Sequence, residues 1–161
     1  MTGLFNYPMY MTIKNVFGRG DSFHYISSRY AEEEHHFRDI DALGLFVDNH
    51  DNGRFLAEEN FPGNIDGFQN AVLFSMTARG IPFFYYGGEF GYKGGNDPAN
   101  RETLWVDLMK EGLSCFGTST REDTICENTG RLRDDVFSDD STFARITKTL
   151  NACNFARQYM D

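Results

Sequence analysis

Apolar and polar positions along the chain repeat one rhythm, a short apolar run followed by a longer segment with helical spacing. That alternation is the pattern of βα units built around a parallel sheet. The first run covers residues 3–7. It leads to Asp21, a residue type that caps helices, and then to Phe23, Ile26 and Tyr30, spaced i, i+3, i+7 on one helical face. Residues 31–41, acidic and rich in histidine, read as a solvated helix end and loop. The second run, Ala42-Leu43-Gly44-Leu45-Phe46-Val47, is apolar without interruption, as expected of a parallel strand covered on both faces, and it stops at Asp48. After a loop over residues 49–64, Ile65, Phe68, Val72 and Met76 recur at spacings of three and four. They predict a helix closing at Arg79-Gly80, where glycine suits the left-handed C′ position.

The third run, Ile81-Pro82-Phe83-Phe84-Tyr85-Tyr86, has its proline near the start, where a strand tolerates the missing N–H, and it ends at Gly87-Gly88. From Glu89 to about Asp139 neither period is visible, and the stretch is too long for an ordinary connection. Residues 106–140 in particular read as an insertion or irregular loop. A last helix, capped near Ser141, carries Phe143, Ile146, Leu150 and Cys153 on one face. The 161 residues therefore read as one α/β unit made of three consecutive βα repeats.

Composition narrows what such a unit can do. Hydrophobic content of 40% with 24% charged residues is that of a folded, packed chain. A formal net charge of -9 opposes tight binding of nucleic acid, which requires a basic footprint, and suits a neutral partner better. Sixteen Phe, eight Tyr and one Trp offer flat faces on which sugar rings can stack, although most must serve the core. No run of about 18 apolar residues predicts a membrane span. Residues 1–8 lack the basic and apolar regions of a signal peptide. The three cysteines leave one over whichever pair forms, so they define no disulfide framework. Cys115 and Cys126 share one Gly/Thr/Ser-rich loop and could pair in an oxidising compartment.

The candidate chemistry sits just after the predicted strands, where parallel α/β architectures meet their ligands. Asp48-Asn49-His50-Asp51-Asn52 follows the second run, and residues 89–101 follow the third. By residue type alone, Asp48, His50 and Asp51 fit metal ligands, a general acid/base pair, or loop residues that cap their own backbone. A metal site would need further ligands at ordered spacing. His24, His35 and His36 lie on another unit without one, so no metal is assigned. Gly94-Gly95-Asn96-Asp97-Pro98 suggests a phosphate cradle but lacks the Lys-Ser/Thr of a P-loop.

Four motifs together carry a family resemblance. FVDNHDNGRF at Phe46 to Phe55 resembles the fourth conserved region of the α-amylases of glycoside hydrolase family 13. GGNDPANRE at Gly94 to Glu102 is similar to the loop after the eighth strand in fungal-type members. GIPFFYYGGEF at Gly80 to Phe90 resembles the eighth strand itself, and LFNYPMY at Leu4 to Tyr10 the sixth. The resemblance covers about the first hundred residues and implies that residues 1–161 form the C-terminal portion of the catalytic barrel. The implied fold is a partial (β/α)8 TIM barrel of about the last three βα units, strands six to eight.

The same resemblance implies roles for individual residues. Asp51 corresponds to the catalytic carboxylate that stabilises an oxocarbenium-like transition state, and His50 to the imidazole that binds the sugar in the cleavage subsite. Asp97 and Arg101 correspond to residues that bind glucose hydroxyls, a task for which a carboxylate and a guanidinium offer paired hydrogen bonds. The implied activity is hydrolysis of α-1,4-glucosidic bonds in starch or glycogen, with retention, in the complete enzyme. The alternatives are a non-catalytic glucan-binding protein or a cyclodextrin glucanotransferase-like transglycosylase. Retaining glycosidases need a nucleophile and an acid/base carboxylate about 5 Å apart. In this family both come from strands four and five, so this chain alone is expected to be inactive, with Glu89 in a supporting role. The family's calcium ligands also lie upstream: no cofactor is expected in this chain, and calcium is expected in the complete enzyme. The expected partner is an α-glucan or maltooligosaccharide, with no nucleic acid and no membrane, and the family implies secretion.

Overall fold

The structure, a computed structural model, describes residues 3–103, 113–116, 125–128 and 141–158. Helix α1, Tyr7–Ile13, starts where the Asn6 side chain accepts a hydrogen bond from the Met9 backbone N–H at 2.9 Å, with proline in its first turn. It runs straight into a π-helical segment, Lys14–Arg19, which ends at Gly20 with φ 83°. Helix α2 follows over His24–His36, then a 3₁₀ turn, Ile40–Ala42, and strand β1, Gly44–Phe46. After a second 3₁₀ turn, Phe55–Ala57, come helix α3, Ile65–Thr77, and strand β2, Ile81–Phe83. Strands β3, Leu113–Phe116, and β4, Ile125–Asn128, form an antiparallel ribbon, and helix α4 spans Thr142–Gln158.

β1 and β2 pair in parallel, with Gly44, Leu45 and Phe46 opposite Ile81, Pro82 and Phe83. On the other side of β1 the chain at Phe5 makes a single parallel bridge to Gly44, held by Asn6 N–H to Gly44 O and Gly44 N–H to Leu4 O. β1 is thus central, and all three of its residues are buried. Its alternating side chains serve two layers. Leu45 and Val47 join the cluster that receives the helices, with Met9, Ile13, Phe68, Ala71, Val72 and Ile146. Phe46 points to the opposite face, stacked on Tyr10 at 4.8 Å and edge-on to Tyr7 and Phe5. Phe5 and Phe83 meet over Gly44 with ring centroids 4.9 Å apart. A Cβ on Gly44 would lie 2.8 Å from the Phe83 ring, so any larger residue there requires that ring to shift.

That second face is incompletely covered. Phe5, Ile81 and Phe83 remain 49%, 48% and 45% exposed, although they line the same side as the buried Phe46. Burial of this layer stops at the two outer segments because each has a neighbour on one side only.

Several boundaries differ from the sequence expectations. The first run is not a strand beyond its one bridge, because Asn6 and Pro8 start a helix at Tyr7. Asp21 does not cap α2; the Ser22 hydroxyl accepts the His24 N–H, and Phe23 is exposed rather than on the buried face. Residues 31–36 belong to α2, and Glu33 is buried by Asn6, whose Nδ2 donates to its carboxylate at 3.0 Å. Burial pushes the Glu33 carboxyl above its ordinary range, against the hydrogen bond from Asn6. The third run is shorter than its apolar stretch, since Phe84 and Tyr85 leave the sheet without regular structure and a turn begins at Tyr86.

The helix at residue 65 begins as its spacing predicts, with Asn64 accepting the Gly67 N–H at 2.8 Å. Gly80 has φ 119°, but it sits in the turn into β2, two residues beyond the C-cap Ala78. The stretch from Glu89 is not wholly irregular, for it holds the β3–β4 ribbon. Residues 104–112, 117–124 and 129–140, and the side chain of Phe143, lie outside the described residues. In α4, Ser141 accepts the Ala144 N–H, Ile146 and Cys153 are buried, and Leu150 packs on the core.

Candidate functional site

The loops that leave β1 and β2 lie side by side at one end of the sheet, and their polar residues meet. From β1 the chain enters Asp48, whose carboxylate is buried and accepts the Phe55 backbone N–H at 2.6 Å, closing the loop on itself. Asn49 shapes the turn between them. Its side-chain oxygen accepts from the N–H groups of Asp51 and Asn52 at 3.1 and 3.0 Å, an Asx turn. Its Nδ2 donates to the Tyr7 hydroxyl at 2.9 Å, and that hydroxyl donates to Asp51 Oδ2 at 3.1 Å. Asp51 is therefore aimed from two sides. His50 Nε2 lies 3.2 Å from Asp51 Oδ1, and both side chains are more than half exposed.

The second loop brings the other two predicted residues to the same place. Arg101 Nη2 pairs with Asp97 Oδ1 at 2.8 Å, one helical turn apart in sequence, and Arg101 Nε approaches the His50 carbonyl at 3.3 Å. Asn100 is wholly buried beneath them and donates to the carbonyls of Asn49 and Asn52, tying the two loops through backbone. Asp51, His50, Asp97 and Arg101 thus form one exposed polar rim built on two strand ends.

Below the rim lies a buried ionic core. Arg54 is fully buried, its Nε donating to Glu102 at 3.1 Å and its Nη1 to the Tyr86 carbonyl at 2.7 Å. Its guanidinium sits over the rings of Tyr85, Tyr86 and Tyr92 at 4.3, 5.2 and 5.7 Å. Glu102 also accepts the Gly94 N–H, and the Arg54 N–H donates to the Gly94 carbonyl, so one ion pair locks both loops. The buried Lys14 donates to the Tyr10 hydroxyl and pairs with Glu58. Burial lowers the Lys14 ammonium to about 8 and raises the Tyr10 phenol beyond its usual range. Burial likewise pushes the Asp48 carboxyl up to about 6, outweighing the Phe55 N–H and the Arg54 and Lys14 cations, which act in the other direction. Glu89, in the turn after β2, is half-buried, with one carboxylate oxygen shielded and unpartnered among the described residues.

Tyr7, Asn49, Arg54, Asn100 and Glu102 were not singled out by the sequence. Asn49 carried a signal, an Asx residue two positions before a polar turn residue. Arg54 and Glu102 carried none, because charged residues in a polar loop read as solvated. No group of three or more His, Cys, Asp or Glu among the described residues could hold a metal ion, and Asp48 is engaged by Phe55 and flanked by Arg54.

A parallel β/α sheet layer thus carries a rim of carboxylate, imidazole and guanidinium at its strand ends. No family model matches the chain. Over 104 residues, 62% of this chain, it is 46% identical to the β/α-amylase of Paenibacillus polymyxa, of which it covers 9%. It is 32% identical over 144 residues to α-amylase 2 of Schwanniomyces occidentalis, matching 89% of this chain and 26% of that protein. Its fold superposes on the α-amylase of Malbranchea cinnamomea with a TM-score of 0.67 and 22% identity, over 97% of this chain and 27% of that one. The chain is similar to α-amylases, and its fold matches a partial region of a TIM-barrel α-amylase. It spans about a quarter of the length of the yeast relative and about a tenth of the bacterial one. No helix among the described residues is long and apolar enough to cross a membrane.

Proposed function

We propose that the chain supplies the last three βα units, strands six to eight, of a secreted retaining α-amylase that cleaves α-1,4-glucosidic bonds of starch or glycogen. The observation that carries this reading is the shared rim. Two loops far apart in sequence bring His50, Asp51, Asp97 and Arg101 into one connected surface, in the residue types that hold and cleave a sugar. In this reading Asp51 is the carboxylate whose charge faces the positive charge developing on the anomeric carbon, an interaction worth most in the transition state. Tyr7 and Asn49 hold it. His50 hydrogen-bonds the sugar in the cleavage subsite, while the Asp97–Arg101 pair meets vicinal hydroxyls of the neighbouring glucose.

The nucleophile and the acid/base carboxylate come from barrel units other than those described, as does the family's calcium site. The 161 residues alone are then inert toward starch. Grafting them in place of the matching segment of the yeast relative should restore starch hydrolysis. In that chimera Asp51→Asn should lower kcat about 10²–10³-fold while oligosaccharide binding persists. Turnover near that of the unsubstituted chimera would refute the role of Asp51.

A further inference from the structure

The cysteines outside the rim support an inference that the amylase reading does not contain. The β3–β4 ribbon sets Leu113 opposite Asn128, Ser114 opposite Glu127, Cys115 opposite Cys126 and Phe116 opposite Ile125. The chain has three cysteines, and this register makes two of them direct partners across an antiparallel ladder. Directly opposed residues share a face of the ribbon, with Cα atoms at about 4.5 or 5.5 Å depending on the pair type. Both values fall within the roughly 4.4–6.8 Å that a disulfide spans. A slip of one residue would set each cysteine against a different neighbour and place the two on opposite faces. The third cysteine, Cys153, is buried in α4.

We infer that Cys115 and Cys126 form a disulfide that fastens the β3–β4 ribbon in an oxidising compartment. A two-stranded ribbon is marginal on its own in water, and this one stands in the stretch that follows the Asp97–Arg101 loop. The cross-link ties β3 to β4 covalently and makes the ribbon's pairing independent of the strength of its few backbone bonds.

A low-molecular-weight disulfide such as glutathione disulfide is the oxidant. The thiolate of one cysteine attacks a glutathione sulfur, forming a mixed disulfide and releasing one glutathione thiolate. The second cysteine thiolate attacks the protein sulfur of that intermediate, forms the Cys115–Cys126 bond and expels the second glutathione. The two thiol protons pass to solvent and the released glutathiones. Two protein thiols are oxidised as one glutathione disulfide is reduced.

The test uses the full chain equilibrated in a glutathione redox buffer, quenched by acid, alkylated in denaturant and digested without reductant for mass spectrometry. The expected product is a Cys115 peptide joined to a Cys126 peptide, lighter by two hydrogens than their sum and separated by reductant, with Cys153 alkylated. The same link should form in Cys153→Ser, and in Cys126→Ser the Cys115 thiol should carry glutathione rather than Cys153. Alkylation of both Cys115 and Cys126, or any link that includes Cys153, overturns the inference.

Discussion

Replacing Arg54 by Met keeps most of the side-chain volume and removes one charge from the most enclosed polar point of the site. Glu102 then loses its Nε partner at 3.1 Å and the Tyr86 carbonyl loses Nη1 at 2.7 Å, while Tyr85, Tyr86 and Tyr92 lose the cation between them. Asp48, already raised to about 6 by burial, loses one of the two cations that oppose the shift. Breaking a buried ion pair from one side costs about 3–5 kcal/mol, because the remaining charge stays desolvated. Glu102 keeps some solvent contact, with 18% of its side chain exposed, which points to the lower end, about 3 kcal/mol.

The loss should appear as local opening of the two loops, read by amide hydrogen exchange. The reporters are the N–H groups of Phe55, Arg54 and Gly94, bonded to Asp48, the Gly94 carbonyl and Glu102 respectively. At about 1.4 kcal/mol per decade, their exchange should accelerate about 100-fold relative to Ala71 and Val72 in the core of α3. Arg54→Lys should give a smaller acceleration, since the charge remains and the planar fork is lost. Adding Glu102→Gln to Arg54→Met should recover part of the protection, because a neutral amide costs less to leave beside Met. Acceleration under about tenfold at all three amides would refute the claim that this ion pair locks the loops.

Two further outcomes follow from the same residues. A carboxyl with a folded-state pKa raised from 3.8 to about 6 binds its proton more tightly when folded, so the folded state gains stability as pH falls and loses it as pH rises through about 4 to 6. The displacement corresponds to about 3 kcal/mol at 1.36 kcal/mol per unit. Asp48→Asn keeps an acceptor for the Phe55 N–H and should flatten the urea-unfolding free energy against pH in that window by most of this amount; parallel pH profiles of the two proteins would contradict the assignment. In the catalytic chimera, Tyr7→Phe removes the hydroxyl between Asn49 and Asp51 and should lower kcat about tenfold, as loss of one hydrogen bond to a charged group predicts. An unchanged kcat would refute a positioning role for Tyr7.

The fold was legible where pattern and packing coincide. Leu45 and Val47 are buried against the helices, and the Ile65–Met76 spacing is a helix, because each apolar period also answers a layer of the core. It misled where local chemistry overrode hydrophobicity. Residues 3–7 look like a strand by composition, yet Asn6 and Pro8 are a capping residue and a first-turn proline, and they turn the chain into α1 after one bridge. Residues 31–36 read as part of a solvated helix end and loop by charge, yet Glu33 is inside, because Asn6 from another element supplies its hydrogen bond. No single-segment pattern encodes a partner 27 residues away.

The candidate rim and its support differ in the same way. The residues proposed to face the sugar are exposed polar side chains in a recognisable order, so motif and position announce them. Asp48 and Asp51 show why the rest was hidden: they are the same residue type three positions apart, in one loop, and the structure separates them completely. Asp48 is 6% exposed, carries the Phe55 N–H and has its carboxyl pushed up to about 6, whereas the Asp51 side chain is 55% exposed and is aimed by Tyr7. Burial sets the difference, and Arg54 and Lys14, which reach Asp48 from a later turn and an earlier helix, offset part of its cost. A buried charge is specified by the partners that the fold delivers to it. For that reason the tests that separate architecture from chemistry are those on Arg54 and Asp48, whereas substitutions at Asp51 report on chemistry alone.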